Sequence, residues 1–203
     1  MNRQAWLTEA QRKAIHLSCL ILPLGMLYEW LPWPRGKAEW RVLLIALTLT
    51  ALAIDLLRIH ERRARRFFGE FFGGMIREHE QFNLLGSTYL LIAALLSLEM
   101  FPQPVAAAAL GFTVLGDGLA GLAGRAWGRR RFFHKTLEGA AVGLGVCLGW
   151  AAFLALDGRL PWTVAVAGAV VASLVEFLPI PLDDNLGVPL SSGYVMKLLG
   201  IPG

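Results

Sequence analysis

The sequence predicts an all-α fold: a polytopic transmembrane helical bundle of about six spanning helices plus a C-terminal re-entrant or interfacial segment, in a single domain over residues 1–203. Three observations predict it. Hydrophobic residues make up 56% of the 203-residue chain, charged residues only 17%, and the mean hydropathy is +0.54, which is no soluble composition. The apolar residues fall in blocks of roughly 17 to 20, enough at ~1.5 Å rise per residue to cross a hydrocarbon core about 30 Å thick. Within the blocks apolar residues do not alternate with polar ones at every second position, which excludes a membrane β-barrel.

The first block, Ala14–Leu31, is too long and too decorated with Trp and Glu for the apolar region of a signal peptide. No small-residue cleavage site follows, so it is expected to be the first span. Trp40–Leu57, Leu84–Leu98, Val105–Leu122, Gly139–Leu156 and Trp162–Leu178 are the next five. Leu31-Pro32-Trp33-Pro34, Phe101-Pro102-Gln103-Pro104 and Asp157-Gly158-Arg159-Leu160-Pro161 read as tight turns between them. Trp33, Trp40 and Trp162 end spans on one side and suit an interfacial aromatic belt. Leu186–Leu199 is short and contains Pro189, Gly193 and Lys197, hence the expectation of a re-entrant or interfacial segment. No internal repeat is visible.

Charge orients the bundle. With the N-terminus inside, the cytoplasmic face collects Arg3, Arg12, Lys13, Arg58, Arg62, Arg63, Arg65, Arg66, Arg77, Arg125, Arg129, Arg130, Arg131, Lys135 and Lys197, against Arg35, Lys37, Arg41 and Arg159 outside. Fifteen against four predicts a multi-pass protein of the inner or cell membrane with both termini cytoplasmic. The net charge of +4 and pI near 9.4 reflect these loops, so no nucleic-acid partner is expected. Cys19 and Cys147 sit in apolar stretches without metal-binding spacing and read as packed thiols.

A charge inside a span costs roughly 2.5–3.5 kcal/mol on insertion scales, so such groups face a polar interior. His16, Asp55, Asp117, Glu138 and Glu176 all fall near the cytoplasmic ends of their spans and join Glu80, Asp183, Asp184 and the basic loops. A polar site opening to the cytoplasm groups them most simply. In Leu115–Arg131, positions 117, 121, 124 and 128 fall within about 40° of one helical line, which puts Asp117 at the head of a glycine stripe. Small-residue helix packing explains the glycines equally well, but not Asp117 or the arginines. Bare backbone with Arg125, Arg129 and Arg130 is a cradle for phosphate, and Asp117 can hold a divalent ion. In His134-Lys135-Thr136-Leu137-Glu138-Gly139, the Lys135/Glu138 pair and Thr136 fit either a site or a routine helix start. After Glu176, the prolines at 179, 181 and 189 are expected to hold Asp183, Asp184 and Asn185 on an extended surface loop, suited to Mg2+ or to a plain turn.

Together these motifs resemble the CTP-dependent lipid-alcohol kinases, the group of dolichol kinase, phytol kinase and CTP-dependent diacylglycerol kinase. The resemblance runs from Arg12-Lys13-…-His16 and Asp55-Leu56-Leu57-Arg58 through the Asp117 and Lys135–Gly139 motifs to Glu176, Asp183-Asp184-Asn185 and Pro189. Thr136 stands where the family often has Ser. The resemblance implies an integral-membrane kinase that transfers the γ-phosphoryl group of a nucleoside triphosphate, CTP by resemblance, to a polyprenol or dolichol, phytol or diacylglycerol hydroxyl. It implies Asp117, Glu138, Glu176, Asp183 and Asp184 as catalytic residues, with Mg2+ on Asp117, Asp183 and Asp184. Arg12, Lys13, His16, Arg125, Arg129, Lys135, Thr136 and Asn185 are the nucleotide-binding set. Glu138 and Glu176 remain alternative bases, and a homo-oligomer is left open. The chain is more distantly similar to CDP-diacylglycerol synthases, cytidylyltransferases acting on a lipid phosphate, which carry a different Asp-rich C-terminal motif. A transporter, or a lipid-binding protein using the Arg62–Arg66 run on anionic headgroups, are the non-catalytic alternatives.

Overall fold

The computed structural model describes residues 3–73, 76 and 78–200; Arg77 and the side chain of Arg3, both counted above, lie outside what it describes. Among the described residues the helices are α1 (Arg3–Ser18), α2 (Ile21–Tyr28), α3 (Gly36–His60), α4 (Arg62–Phe72), α5 (Gly86–Met100), α6 (Gln103–Trp127), α7 (Leu137–Leu156), α8 (Trp162–Phe177) and α9 (Asp184–Leu198). The one departure from an all-α fold there is a hairpin of β1 (Arg131–Phe132) and β2 (Lys135–Thr136), paired Arg131 to Thr136 and Phe132 to Lys135.

Three helices, α3, α6 and α7, are long and apolar enough to cross a membrane. The apolar helices α5 and α8 have 15 and 16 residues, which at ~1.5 Å per residue falls short of a hydrocarbon core about 30 Å thick. The expected first span, Ala14–Leu31, is not one helix: it divides into α1 and α2 around Cys19 and Leu20. Pro23 is the physical reason, because it has no N–H for the carbonyl four residues earlier, at Cys19, and its ring crowds that carbonyl. Pro23 is tolerated in the first turn of α2, where an N–H would be unsatisfied anyway.

The ends of the helices are tied in two separate groups. At one end Lys13 of α1 meets Asp117 of α6, and Lys135 meets Glu176 of α8 and Asp184 of α9. At the other end the Tyr28 hydroxyl donates to Asp157 Oδ2 at 2.9 Å, Arg41 pairs with Glu99, and Lys197 Nζ donates to the Met100 carbonyl at 2.9 Å. Helix α9 therefore starts at the site end and finishes beside the last residue of α5. Lys197, expected on the same face as the site cations, is at the opposite end. The residue pattern does not encode this path: Pro189 and Gly193 inside α9 disfavour a continuous helix, yet the helix runs through both.

α6 is the axis of the bundle and packs on α1, α2, α5, α7, α8 and α9. Its run of small residues, Ala106–Ala109 and Gly111, lets neighbouring backbones and the Trp150 indole approach closely; that indole donates to the Ala108 carbonyl at 3.2 Å. α3 is peripheral and exposes Val42, Leu49 and Leu57, an apolar outer face that suits lipid rather than water.

Asp55 and Arg58, grouped with the polar site from sequence, form a separate buried clamp. They are 0% and 2% exposed and paired at 2.9 Å. Arg58 also donates to the carbonyls of Glu80, Gln81 and Asn83, while Asp55 Oδ2 accepts from the Leu85 N–H and the Thr88 hydroxyl. The pair fastens the segment before α5 to the end of α3.

Candidate active site

The site begins on α1, where Glu9, Arg12, Lys13 and His16 recur at helical spacing on one face. Lys13 is 3% exposed and its amine donates to Asp117 twice, to the carboxylate at 2.7 Å and to the carbonyl at 3.0 Å. His16 Nε2 lies 3.4 Å from the same carboxylate oxygen and 3.4 Å from the Thr113 carbonyl. The glycine stripe makes this possible: a Cβ on Gly121 would stand 2.6 Å from Lys13 Cε and 2.9 Å from Nζ. Gly124 is the counterpart on the other flank, where a Cβ would meet the Thr136 hydroxyl at 2.6 Å. Close packing and site formation are here the same device.

The hairpin delivers the second lysine. Phe132 stacks on Phe177 at the end of α8, with ring centroids 4.8 Å apart and planes 18° from parallel, and this docks the hairpin beside Glu176. Lys135 Nζ then bonds Glu176 Oε1 and Asp184 Oδ2, both at 2.8 Å, as well as the Glu176 carbonyl. Burial pulls the Lys135 amine toward neutrality, but the carboxylates of Glu176 and Asp184 outweigh it and hold the pKa above the usual lysine value. Thr136 caps α7 by accepting from the Gly139 N–H at 3.1 Å, so the residue is both a helix start and a wall of the site.

Lys13, Asp117, Lys135, Thr136 and Glu176 border a cavity of about 550 Å3 between α1, α6, α7, α8 and the hairpin, while Asp184, bonded to Lys135, is not part of its lining. Its polar lining includes Glu9, Lys13, Asp117, Arg125, Arg131, His134, Lys135, Thr136 and Glu176. Glu176 Oε2 is buried with no hydrogen-bond partner among the described residues, and the charges of Asp117 and Asp184 both bear on this side chain. A second cavity of about 300 Å3 lies between α1, α4 and α5 and shares Lys13 and Asp117 with the first. Arg12, His16 and Asn185, expected among the nucleotide-binding residues, line this second cavity instead.

Other expected residues are turned elsewhere. Glu138 accepts from the Arg129 and Arg130 amides at 3.1 and 3.2 Å, clipping the loop before the hairpin, and it lines neither cavity. The Arg129 and Arg130 side chains are exposed and also outside the cavities, whereas Arg125 lines the first and lies 3.7 Å from Glu9. Asp184 and Asn185 are not on an extended loop: Pro179 and Pro181 do follow the end of α8, but α9 has already begun at Asp184. Asp183 is its cap, with Oδ1 accepting from both nitrogens of Asn185 at 2.9 Å. Of Asp117, Asp183 and Asp184, the expected metal set, Asp183 is engaged as a helix cap, and among the described residues no three His, Cys, Asp or Glu side chains converge on one ion position. Sequence reading missed Glu9, Arg131 and His134. Glu9 was detectable, because it lies three and four residues before Arg12 and Lys13, and it pairs with Arg12 at 2.9 Å.

No family model and no solved structure matches the chain. Among curated proteins, it is 25% identical over 190 residues to an uncharacterized protein of Rickettsia prowazekii, covering 90% of each chain. It is 26% identical over 168 residues to CTP-dependent diacylglycerol kinase 1 of Schizosaccharomyces pombe, covering 74% of this chain and 77% of that one. It is 31% identical over 134 residues to the probable phytol kinase 1, chloroplastic, of Glycine max, covering 57% of this chain and 44% of that one. The chain therefore has distant homologues named as lipid kinases, while its nearly full-length match carries no activity in its name.

Proposed function

We propose that this chain is an integral-membrane lipid kinase that transfers the γ-phosphoryl group of a nucleoside triphosphate, CTP in the first instance, to the hydroxyl of a long-chain lipid alcohol. The observation that carries this reading is the convergence of Lys13 and Lys135, from distant parts of the sequence, on Asp117, Glu176 and Asp184 at one end of the bundle. Phosphoryl transfer demands mainly positioning and charge neutralisation, and the larger cavity offers both. Lys13, Arg125, Arg131 and Lys135 supply cations for a triphosphate, and the Gly121–Gly128 stretch of α6 brings bare backbone up to the cavity wall. The names of two distant homologues support the same chemistry.

Mg2+ suits the pair Glu176 and Asp184, because it is held by one or two carboxylates with phosphate oxygens completing its shell, and Glu176 Oε2 is a buried oxygen lacking a partner among the described residues. When bound it would neutralise charge on the β- and γ-phosphates. Lys135 bridges the two carboxylates and fixes their separation. In the reaction the lipid hydroxyl oxygen forms a bond to the γ-phosphorus, the bond from that phosphorus to the β,γ-bridging oxygen breaks, and the nucleoside diphosphate leaves. The site end is read as cytoplasmic, where most of the cations cluster.

The test is incubation of purified protein with γ-labelled and, separately, α-labelled CTP, ATP and GTP, each with polyprenol, phytol, diacylglycerol and the lipid phosphate phosphatidic acid. The γ-label alone is expected in the lipid. Appearance of the α-label there instead would make the protein a cytidylyltransferase, and no label from any nucleotide would overturn catalysis. Asp184→Asn should reduce labelling by at least 100-fold in a protein that still elutes as wild type, while Asp157→Asn at the other end leaves it unchanged.

A further inference from the structure

The geometry points to the second cavity as the seat of the acceptor lipid, with its hydroxyl end on Asp117 and its chain leaving between α4 and α5. This rests on the kinase reading and adds to it a location and a proton acceptor. The apolar part of the wall comes from Ile15 on α1 and Cys19 just after it, Phe68 and Phe72 on α4, and Leu85 and Leu90 at the start of α5. Its volume, about 300 Å3, is at the small end for ligand sites, which run from roughly 300 to 1,000 Å3, and suits a headgroup with the first part of one chain.

The polar lining selects a neutral head. Arg12 and Lys13 are each paired, with Glu9 at 2.9 Å and with Asp117 at 2.7 Å, and the carboxylates Glu80 and Asp117 match the two cations that line the cavity. A phosphate head would find no excess of positive charge there, whereas a hydroxyl needs only an acceptor. The larger cavity, with four cations from Lys and Arg against three carboxylates, has one cation in excess.

Two further features fit. Helix α4 carries Arg62, Arg63, Arg65 and Arg66 on one face and Phe67, Phe68, Phe71 and Phe72 on the other at about 100° per residue, the pattern of a helix lying in a membrane interface. Its Phe67, Phe71 and Phe72 are exposed, while Phe68 and Phe72 reach the cavity, so a lipid passes from the bilayer along an aromatic wall. Asp117 and Lys13 border both cavities, which makes their pair the meeting point of hydroxyl and triphosphate. Transfer then balances: the hydroxyl oxygen bonds the γ-phosphorus, the nucleoside diphosphate departs from the larger cavity, and the hydroxyl proton passes to the Asp117 carboxylate, as a carboxylate does in protein kinases.

The experiment is photocrosslinking of the purified full chain with a diazirine-bearing C18 alcohol, and with a phosphatidylcholine bearing the same group, followed by peptide mapping. The alcohol should label Phe68–Phe72 and Ile15–Cys19. Excess unlabelled alcohol should remove that label at least tenfold more effectively than the corresponding lipid phosphate. Cys19→Phe, which fills the cavity, and Ser87→Trp at its rim should each lower the competable label at least fivefold and raise the KM for lipid while leaving that for nucleotide within twofold. Label confined to the outer face of α3, competable label around Leu144 and Ala172 of the larger cavity, or stronger competition by lipid phosphate would each overturn the assignment. Competable label in this cavity without phosphoryl transfer would leave the site standing and end the kinase reading; transfer with label elsewhere would do the reverse.

Discussion

At Lys135 two opposed effects meet, and their balance makes a prediction about pH. Burial disfavours the ammonium form, but Glu176 and Asp184 at 2.8 Å outweigh it, so the folded-state pKa lies above the unfolded value of 10.5. For a base with a raised pKa, the stabilisation is complete below the unfolded pKa and disappears as pH rises through the folded one. Lys135 should therefore remain a cation from pH 7 to at least about 10. An amine at Lys135 that reacts with a lysine-directed acylating reagent with an apparent pKa near 8 would contradict this. Lys135→Ala should raise nucleotide KM by an order of magnitude or more and leave lipid KM nearly unchanged. Lys135→Arg should rescue poorly, because a planar fork cannot occupy the position between two carboxylates that a compact ammonium fills. A selective rise in lipid KM would move Lys135 to the acceptor side.

The elements carry two further tests, on α6 and on the clamp between α3 and α5. Gly121→Ala adds a methyl group where Lys13 now lies, 2.6 Å from its Cε, and the flexible end of that side chain can move aside. Stability should change by less than about 1 kcal/mol, since alanine also favours the helix, while turnover falls at least tenfold as the amine leaves Asp117. Equal losses of stability and turnover would mean that the glycine serves packing alone. Asp55→Ala should do the reverse: it strands a fully buried guanidinium, a loss of about 3–5 kcal/mol, and lowers the Tm in detergent by roughly 10 °C or more. The sequence made part of the candidate site legible, because a charge in an apolar helix is costly and so Asp117 and Glu176 stand out against their surroundings, whereas Lys13, Lys135 and Asp184 lie in polar segments and are marked only by their motifs. It did not distinguish a charge on the candidate cavity from one that closes a structural bond. Asp55, Glu138 and Asp183 are all carboxylates near the same end, yet they clamp a loop, hold two amides and cap a helix. Those bonds depend on tertiary contacts that periodicity does not encode.

For the whole molecule the question is how many times the chain crosses the bilayer, and the path of α9 decides it. With Leu186–Leu199 expected to be re-entrant or interfacial from its length and Pro189, Lys197 falls with the site cations, and the division is fifteen Lys and Arg on one face against four. In the fold α9 starts at Asp184, bonded to Lys135 at the site end, and Lys197 reaches the carbonyl of Met100 at the far end, beside the Arg41–Glu99 pair. Moving Lys197 across makes the division fourteen to five, so the orientation rule still votes for the site end inside. Helix α9 has 15 residues and one internal proline, short for a span on its own, but it packs against α5, α6 and α8 and buries Val188, Pro189, Ser192, Gly193 and Met196 among them. Burial among helices lets a short and interrupted element reach across, because neighbours satisfy what lipid cannot. The prediction is that the site loop and the end of α9 lie on opposite sides of the membrane. It can be checked in sealed cells with both native cysteines replaced by serine and single cysteines placed as Arg130→Cys and Leu199→Cys, using an impermeant maleimide before and after permeabilisation. Leu199→Cys should react from outside, and Arg130→Cys only after permeabilisation. Reaction of both only after permeabilisation would return α9 to a re-entrant path, and reaction of Arg130→Cys from outside would invert the bundle and remove its site from the cytoplasmic nucleotide pool.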